Sequence, residues 1–208
     1  GYPILSEESE DDRKRLKTEA VWIIDPLDGT TDFIARTGEF SVMIALVREQ
    51  TPSLGVVYQP ATDKLFVAEQ GRGAWLVTAA NTERLYVSSH SRTLCLVTSR
   101  AHLSAEETEF LSTLQPEKHI KMGSAGLKIA EVAAGRADLY FTTTDKIKQW
   151  DTAAGYCLLS EAGGRITDML GEKLHYNTEE TSHRHGILAS NGLVHDAVVG
   201  RYRARLCL

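Results

Sequence analysis

The sequence contains few cysteines and no long hydrophobic run. Its 208 residues include three cysteines, Cys95, Cys157 and Cys207, and no two of them form a Cys-x-x-Cys pair. An odd number of scattered cysteines indicates neither a disulfide framework nor a zinc site. No apolar run reaches the roughly 18 residues needed to span a bilayer, and no basic-then-apolar leader opens the sequence. We therefore expect a cytoplasmic protein with no membrane partner.

Positive charge is also scarce relative to negative charge. The chain has 23 lysines and arginines against 28 aspartates and glutamates, so its net charge is −5. This balance argues against binding to a nucleic-acid polymer, because such binding relies on excess positive charge facing the phosphates. A small anionic substrate is still compatible with it if metal ions and backbone amides supply positive charge locally. With 42% hydrophobic and 25% charged residues, the composition is typical of one large globular domain or a tightly fused pair.

The most informative stretch runs from residue 22 to residue 31, WIIDPLDGTT. An apolar strand leads directly into Asp25 and Asp28, and the Pro-Leu step between them predicts a tight, stiff turn that aims both carboxylates at one point. Hard divalent cations such as magnesium prefer such oxygen ligands. The backbone amides of Gly29, Thr30 and Thr31 would bind an anion if a short helix starts there. Taken alone, this pattern is more often an ordinary Asp-Pro turn.

Two further acids occur at the ends of predicted elements. Glu7 follows the opening strand. Asp151 precedes a predicted helix, where aspartate also serves as an ordinary N-cap. Because these two acids and the pair Asp25 and Asp28 all lack a basic neighbour in sequence, we predict that the four share a metal site. Oxygen-only ligation favours Mg²⁺ or Mn²⁺ over zinc, and two ions bridged by Asp25 would stabilise both the attacking and the leaving oxygen of a phosphoryl transfer.

Hydrophobic periodicity predicts closely spaced strands early in the chain and alternating strands and helices later. The predicted strands cover 40–47, 54–58, 65–68, 74–77, 85–87, 95–98 and 187–189, and the predicted helices cover 104–114, 124–134, 151–161 and 193–202. We expect metal-site strands and an antiparallel sheet in residues 1–93, an α/β half in residues 94–208, and one fused catalytic unit. Residues 9–19 are dense in charge of both signs and are predicted to form a mobile, solvated loop. Most of the seven histidines are expected at the surface.

Three blocks of the sequence resemble the inositol monophosphatase superfamily, and the similarity extends over essentially the whole chain. They are Ser6-Glu7-Glu8, Asp25-Pro26-Leu27-Asp28-Gly29-Thr30-Thr31, and Trp150-Asp151-Thr152-Ala153-Ala154-Gly155 followed by Glu161-Ala162-Gly163-Gly164. The resemblance implies an α/β fold, a layered αβαβα sandwich. It also implies a magnesium-dependent, lithium-sensitive phosphomonoesterase that forms a homodimer and acts on a small phosphorylated substrate. Family members carry helices ahead of the first block that this sequence lacks, so we expect a missing upstream segment on which activity would depend.

Matched motif by motif, the resemblance implies two or three bound Mg²⁺ ions, with Mn²⁺ as a substitute. Glu7, Asp25 and the Leu27 carbonyl would bind one ion. Asp25, Asp28 and Asp151 would bind another, and a third, looser ion would again use Glu7. No covalent phosphoenzyme is needed in such a mechanism.

The resemblance also implies roles for the residues that follow the acids. The amides of Gly29 and Thr30, with Thr31 beside them, would hold the phosphate. The Thr30 hydroxyl and Glu7 would orient the attacking water. Glu7, Thr30 and Asp25 are therefore the predicted catalytic residues.

Weaker sequence features bear on the choice of substrate. The segments 37–42 and 123–128 resemble the 3′(2′),5′-bisphosphate nucleotidases, and they make Ser124 and Lys128 candidates for substrate contacts. Lys128 could meet the second phosphate of 3′-phosphoadenosine 5′-phosphate, or it could be an ordinary surface helix residue. The segment Thr31-Asp32-Phe33 instead resembles the inositol phosphatases, so an inositol-1-monophosphatase or a sugar phosphatase is the alternative. A second alternative, motivated by the missing helices, is an inactive metal- or phosphate-binding homologue.

Overall fold

The computed structural model describes residues 1–89, 93–101 and 103–207. Its first seven strands form one sheet in which the strands follow each other in sequence order. They are β1 (Ile4–Ser6), β2 (Ala20–Asp28), β3 (Ser41–Arg48), β4 (Thr51–Gln59), β5 (Lys64–Glu69), β6 (Gly73–Val77) and β7 (Thr82–Leu85). β1 is parallel to β2, and every later neighbouring pair is antiparallel. The predicted antiparallel meander is therefore confirmed.

One predicted strand of this sheet is displaced. The strand expected at residues 85–87 lies at Thr82–Leu85 instead, because the β6–β7 hairpin pairs Val77 with Thr82. Val87 has already left the sheet, since its backbone N–H donates to the carbonyl of Ala162 at 3.0 Å.

The second sheet has five strands in the order β11-β12-β10-β8-β9. These are β8 (Cys95–Ser99), β9 (Lys118–Met122), β10 (Leu139–Thr142), β11 (Arg165–Thr167) and β12 (Ile187–Ser190). The helices are α1 (Thr30–Ile34), α2 (Ala105–Leu114), α3 (Ala125–Ala133), α4 (Ala153–Glu161) and α5 (His195–Arg205). α2 begins where predicted because Ser104 and Glu107 form a capping box.

The sheets and helices are stacked in layers. α3 and α4 contact strands of both sheets, whereas residues of α2 and α5 share a separate apolar core with β8, β10 and β12 on the other face of the second sheet. The central layer is tightly packed, since a Cβ built on Gly55 of β4 would lie 2.3 Å from the Ala154 carbonyl oxygen of α4. The described residues thus form four alternating layers of the predicted sandwich. The main core draws on both halves of the chain, and the division near residue 93 stays a prediction.

The charged segment 9–19 differs from the solvated loop that was expected. It contains a 3₁₀ turn at Lys14–Lys17, and the side chain of Arg15 is only 1% exposed. A buried guanidinium needs partners because an unpaired buried charge is costly, and Arg15 pairs with Asp11 within the segment.

Two histidines expected at the surface are buried. His183 contacts the Thr152 hydroxyl at 2.8 Å, and His195 lies between the hydroxyls of Thr167 and Ser190 at 2.9 and 2.8 Å. Their hydroxyl partners satisfy both side chains in place of water, and burial lowers the pKa of each imidazole to about 4. His90 and His102 lie outside the described residues.

None of the described helices is long and apolar enough to cross a membrane.

Candidate active site

The site begins at a β-bulge at the end of β2. Asp25 pairs with Met43 of β3 and Asp28 pairs with Ser41, so β2 carries one extra residue between the two acids. Pro26 lies in the bulge and is exposed, where its missing N–H costs no ladder hydrogen bond. The tight turn expected between Asp25 and Asp28 is therefore wrong, because the strand continues to Asp28. The bulge still re-aims the two carboxylates toward one point, which is a common use of bulges next to active sites.

Three of the four predicted acidic ligands converge at this bulge. One carboxylate oxygen from each of Asp25, Asp28 and Asp151 lies within 4.8 Å of the others. Asp151 stands just before α4, but the N-cap of that helix is Thr152. The Asp151 carboxylate instead accepts a 2.6 Å hydrogen bond from the Lys148 N–H. Glu7 comes from the end of β1 beside β2, and its carboxylate contacts that of Asp25.

The Asp25 carboxylate fits a divalent cation. Its Oδ1 accepts from the Leu27 N–H at 2.9 Å, whereas its Oδ2 is buried and has no hydrogen-bond partner among the described residues. Burial and the charges of Asp28, Asp151 and Glu7 raise the pKa of Asp25 to about 8. Burial and Asp28 likewise raise the pKa of Asp151 to about 7. A buried cluster of like charges with an unpaired oxygen fits a hard cation, which would neutralise the cluster and take that oxygen as a ligand.

We expect the metal-free chain to lose stability as the pH rises from about 6.5 to about 8. Over this window folded Asp25 keeps a proton that the unfolded chain has already lost, so the free energy of unfolding falls with pH. The buried histidines give the opposite slope only below their ordinary pKa of 6.5. Thermal unfolding in EDTA measures this slope, and added Mg²⁺ should flatten it. A melting temperature that rises between pH 6.5 and pH 8 in EDTA would contradict it.

The turn after Asp28 requires glycine. Gly29 has a φ of +91°, and a Cβ on it would lie 3.1 Å from both the Glu39 carbonyl oxygen and the Ser124 nitrogen. Its left-handed conformation turns the chain into α1, which begins at Thr30. The first amides of a helix have no intrahelical partner. Gly29, Thr30 and Thr31 all line the cleft above the acids, so their predicted phosphate contacts are geometrically accessible.

The segment 123–128 lies on the other side of the acids. The Ser124 hydroxyl donates to the Asp28 carboxylate and accepts from the Leu127 N–H at 3.0 Å, so it holds Asp28 against the start of α3. The Lys128 ammonium donates to the Gly123 carbonyl and lies 5.2 Å from the centre of the Tyr140 ring. Lys128 is 4% exposed, so its interpretation as a surface residue is wrong. Burial lowers its pKa to about 8, and the negative charge that opposes this shift most strongly is that of Asp28.

A cleft of about 760 Å³ connects these groups. Of the predicted site residues it is lined by Glu7, Asp28, Gly29, Thr30, Thr31, Ser124, Lys128 and Asp151. Asp25 and Leu27 do not line the cleft. Asp25 is buried next to Asp28 and Asp151, which do line it. The role of the Leu27 carbonyl as a ligand stays a prediction.

A sequence model described as the inositol monophosphatase family matches residues 1–205. The chain belongs to the inositol monophosphatase family. It is 38% identical over 182 residues to the 3′(2′),5′-bisphosphate nucleotidase CysQ of Escherichia coli strain K12, covering 86% of this chain and 72% of that protein. It is 36% identical over 185 residues to the fructose-1,6-bisphosphatase/inositol-1-monophosphatase of Thermotoga maritima, covering 88% and 68%. The crystal structure of CysQ from Bacteroides thetaiotaomicron superimposes with a TM-score of 0.81 at 32% identity, covering 91% and 77%.

Membership in this family makes the chain a phosphatase that hydrolyses phosphoric monoesters. The family is metal-dependent, and the cluster of Asp25, Asp28 and Asp151 could bind a metal ion. The layered sandwich expected from the sequence is confirmed by the structural similarity.

Two further residues, Glu39 and Arg100, shape the site of this inositol monophosphatase family member, although the sequence did not predict a role for them there. The Glu39 carboxylate accepts from the Gly123 N–H at 2.8 Å and from the Arg100 guanidinium at 2.6 and 3.2 Å. The Glu39 carbonyl accepts from the Ser124 N–H at 3.1 Å. Glu39 therefore joins the segment after α1 to the turn that carries Ser124. The sequence indicated Glu39 only as part of the segment 37–42, which resembles the bisphosphate nucleotidases. No local pattern in the sequence pointed to Arg100 as its partner.

Proposed function

We propose that this chain is a magnesium-dependent 3′(2′),5′-bisphosphate nucleotidase that converts 3′-phosphoadenosine 5′-phosphate to AMP and phosphate. The observation that carries the choice of substrate is the Lys128 ammonium, which lies in the wall of the cleft near the acids. A lysine has three N–H donors, and the hydrogen bond that Lys128 makes among the described residues, to the Gly123 carbonyl, uses one of them. The others can meet a second phosphate, which a monophosphate substrate lacks. The similarity to CysQ supports the same choice.

In this proposal the acids hold the metal ions. Glu7, Asp25, the Leu27 carbonyl, Asp28 and Asp151 would bind two or three Mg²⁺ ions. When bound, the ions supply the positive charge that neutralises the phosphate and stabilises the leaving oxygen. Ser124 contributes by fixing the orientation of the Asp28 carboxylate, because hydrogen bonds from neighbouring residues keep metal ligands in place.

The remaining chemistry belongs to the residues around Gly29. The amides of Gly29, Thr30 and Thr31 would bind the phosphate oxygens at the start of α1. The Thr30 hydroxyl and the Glu7 carboxylate would orient the attacking water in line with the leaving group, and the Glu7 carboxylate would accept its proton. Holding the reactants in this geometry removes much of the entropic cost of the reaction.

Phosphate release from two substrates tests the proposal. We expect kcat/KM for 3′-phosphoadenosine 5′-phosphate to exceed that for inositol 1-phosphate by about 100-fold, because a site built for a charged group is poorly matched by a substrate without it. Both reactions are measured with Mg²⁺ and with EDTA, and Mn²⁺ should replace Mg²⁺. A preference for inositol 1-phosphate would contradict the nucleotidase assignment.

An inositol-1-monophosphatase or sugar phosphatase is the second candidate. It is supported by the similarity to the Thermotoga maritima protein and by the segment Thr31-Asp32-Phe33. Asp32 is buried and accepts from the Thr37 hydroxyl at 2.9 Å, so this residue stabilises the loop after α1 in either case. The two candidates share one reaction and differ only in the leaving group.

A further inference from the structure

Arg15 is the one buried residue between positions 8 and 19, the segment that connects Glu7 to β2. Its guanidinium forms a two-point contact with the Asp11 carboxylate, at 3.1 Å from Nε and 2.8 Å from Nη2. Because the other side chains of this segment are exposed or only partly buried, the position of the segment depends largely on Arg15. The segment in turn leads directly from the predicted ligand Glu7.

The other side of the Arg15 guanidinium is bound by a distant part of the chain. Its Nη1 donates to the Asn177 side-chain oxygen and to the Thr178 carbonyl, both at 3.0 Å. Asn177 returns a hydrogen bond from its Nδ2 to the Arg15 carbonyl at 3.0 Å. These reciprocal bonds fasten the segment that follows Glu7 to residues 177–178.

Residues 177–180 are themselves held by Gln149, which is 1% exposed. The Gln149 side chain accepts from the Asn177 N–H at 2.8 Å and donates to the Thr178 hydroxyl at 2.7 Å and to the Glu180 carbonyl at 2.9 Å. Its backbone carbonyl accepts from the Thr152 N–H at 3.3 Å. Gln149 and Thr152 flank the turn that carries Asp151, so the hydrogen bonds reach the turn that holds this second predicted ligand.

We propose that the partly buried network of Arg15, Asp11, Asn177, Thr178 and Gln149 sets the distance between Glu7 and Asp151 and thereby tunes metal affinity. Asp25 and Asp28 share one strand, whereas Glu7 and Asp151 belong to separate segments. The Glu7 N–H already donates to the Ile24 carbonyl of β2 at 3.4 Å, and the Arg15 network adds a link from the segment after Glu7 to the turn that carries Asp151. The inference rests on the proposed metal site and adds Arg15 as a positioning residue that touches neither substrate nor ion.

The test compares Arg15→Lys with the matched control Arg13→Gln in the full chain. Arg13 joins the same two segments through an exposed pair with Glu179 at 2.7 Å. Lysine keeps the charge at position 15 but cannot make the two-sided guanidinium contacts. We expect Arg15→Lys to weaken Mg²⁺ binding, measured by calorimetry with Mg²⁺ alone, by about tenfold, the usual effect of removing a residue that orients metal ligands. The activity should recover at saturating Mg²⁺, and Arg13→Gln should leave the Mg²⁺ affinity unchanged.

Hydrogen exchange separates positioning from general stabilisation. Arg15→Lys should speed amide exchange in residues 8–19 and 177–181 together, well below the melting temperature. Asn177→Gly is the second variant if Arg15→Lys does not fold, since the φ of +54° at Asn177 suits glycine. Unchanged Mg²⁺ affinity in a folded variant would overturn the positioning role. Failure of the unaltered chain to bind Mg²⁺ would instead overturn the metal site and this inference with it.

Discussion

Replacing Asp25 by asparagine is expected to lower Mg²⁺-dependent phosphate release by at least about a thousandfold, because metal ions contribute several kcal/mol to such reactions. Asparagine has the shape of aspartate and keeps an oxygen for the Leu27 N–H, which donates to Asp25 Oδ1 at 2.9 Å. It replaces the buried Oδ2, which has no hydrogen-bond partner in the described part of the chain, by an NH₂ group. That group cannot ligate a cation, so the variant loses the proposed bridging ligand without losing volume.

The same variant should make the metal-free chain more stable at neutral pH. Burial and three neighbouring acids raise the pKa of Asp25, which means that its charge destabilises the folded chain in the absence of a cation. We therefore expect a higher melting temperature in EDTA and a smaller gain on adding Mg²⁺. Asp63→Asn is the control, because Asp63 is exposed and its φ of +49° also suits asparagine. Retained Mg²⁺-dependent turnover in Asp25→Asn would contradict the assignment of this residue.

The acidic cluster could be predicted from the sequence because its members lie at the ends of elements. The end of a strand can be recognised from the end of its apolar run. Asp25 and Asp28 are also only three positions apart in the sequence. The bulge between them was not predictable, since it depends on the pairing of β2 with Met43 and Ser41 of β3. Local chemistry therefore identified the acids of the cluster, whereas the partner strand determines how their carboxylates are oriented.

Lys128 and Arg15 show why burial of charged residues could not be predicted. α3 lies between the two sheets, so Gly126 to Ala130 are all buried and the helix has no exposed face on which a lysine could lie. Periodicity assigns a lysine to the solvent side by default. Arg15 is paired with Asn177, which is 162 positions away in sequence. A dense run of charges indicates solvation unless the distant partner is known.

Lys128→Met is expected to lower kcat/KM for 3′-phosphoadenosine 5′-phosphate by about 100-fold, because removing one member of a buried, hydrogen-bonded charge pair costs roughly 2–5 kcal/mol. The loss with inositol 1-phosphate should be only a few-fold, since that substrate has no second phosphate for the ammonium to bind. Methionine has nearly the length of lysine and suits the buried position beside Tyr140. Burial also disfavours the charged form of Lys128, so the variant should fold.

Lys146→Met is the matched control for this selectivity change. Lys146 also lines the cleft, but its side chain is exposed, so solvent screens its charge and little change is expected with either substrate. The ratio of the two kcat/KM values is the decisive measurement, because a general disturbance of α3 would lower both. Equal losses on the two substrates would mean that Lys128 acts through the Gly123 carbonyl on the turn that carries Ser124, and through Ser124 on Asp28. In that case the nucleotide would have to be recognised by another part of the cleft.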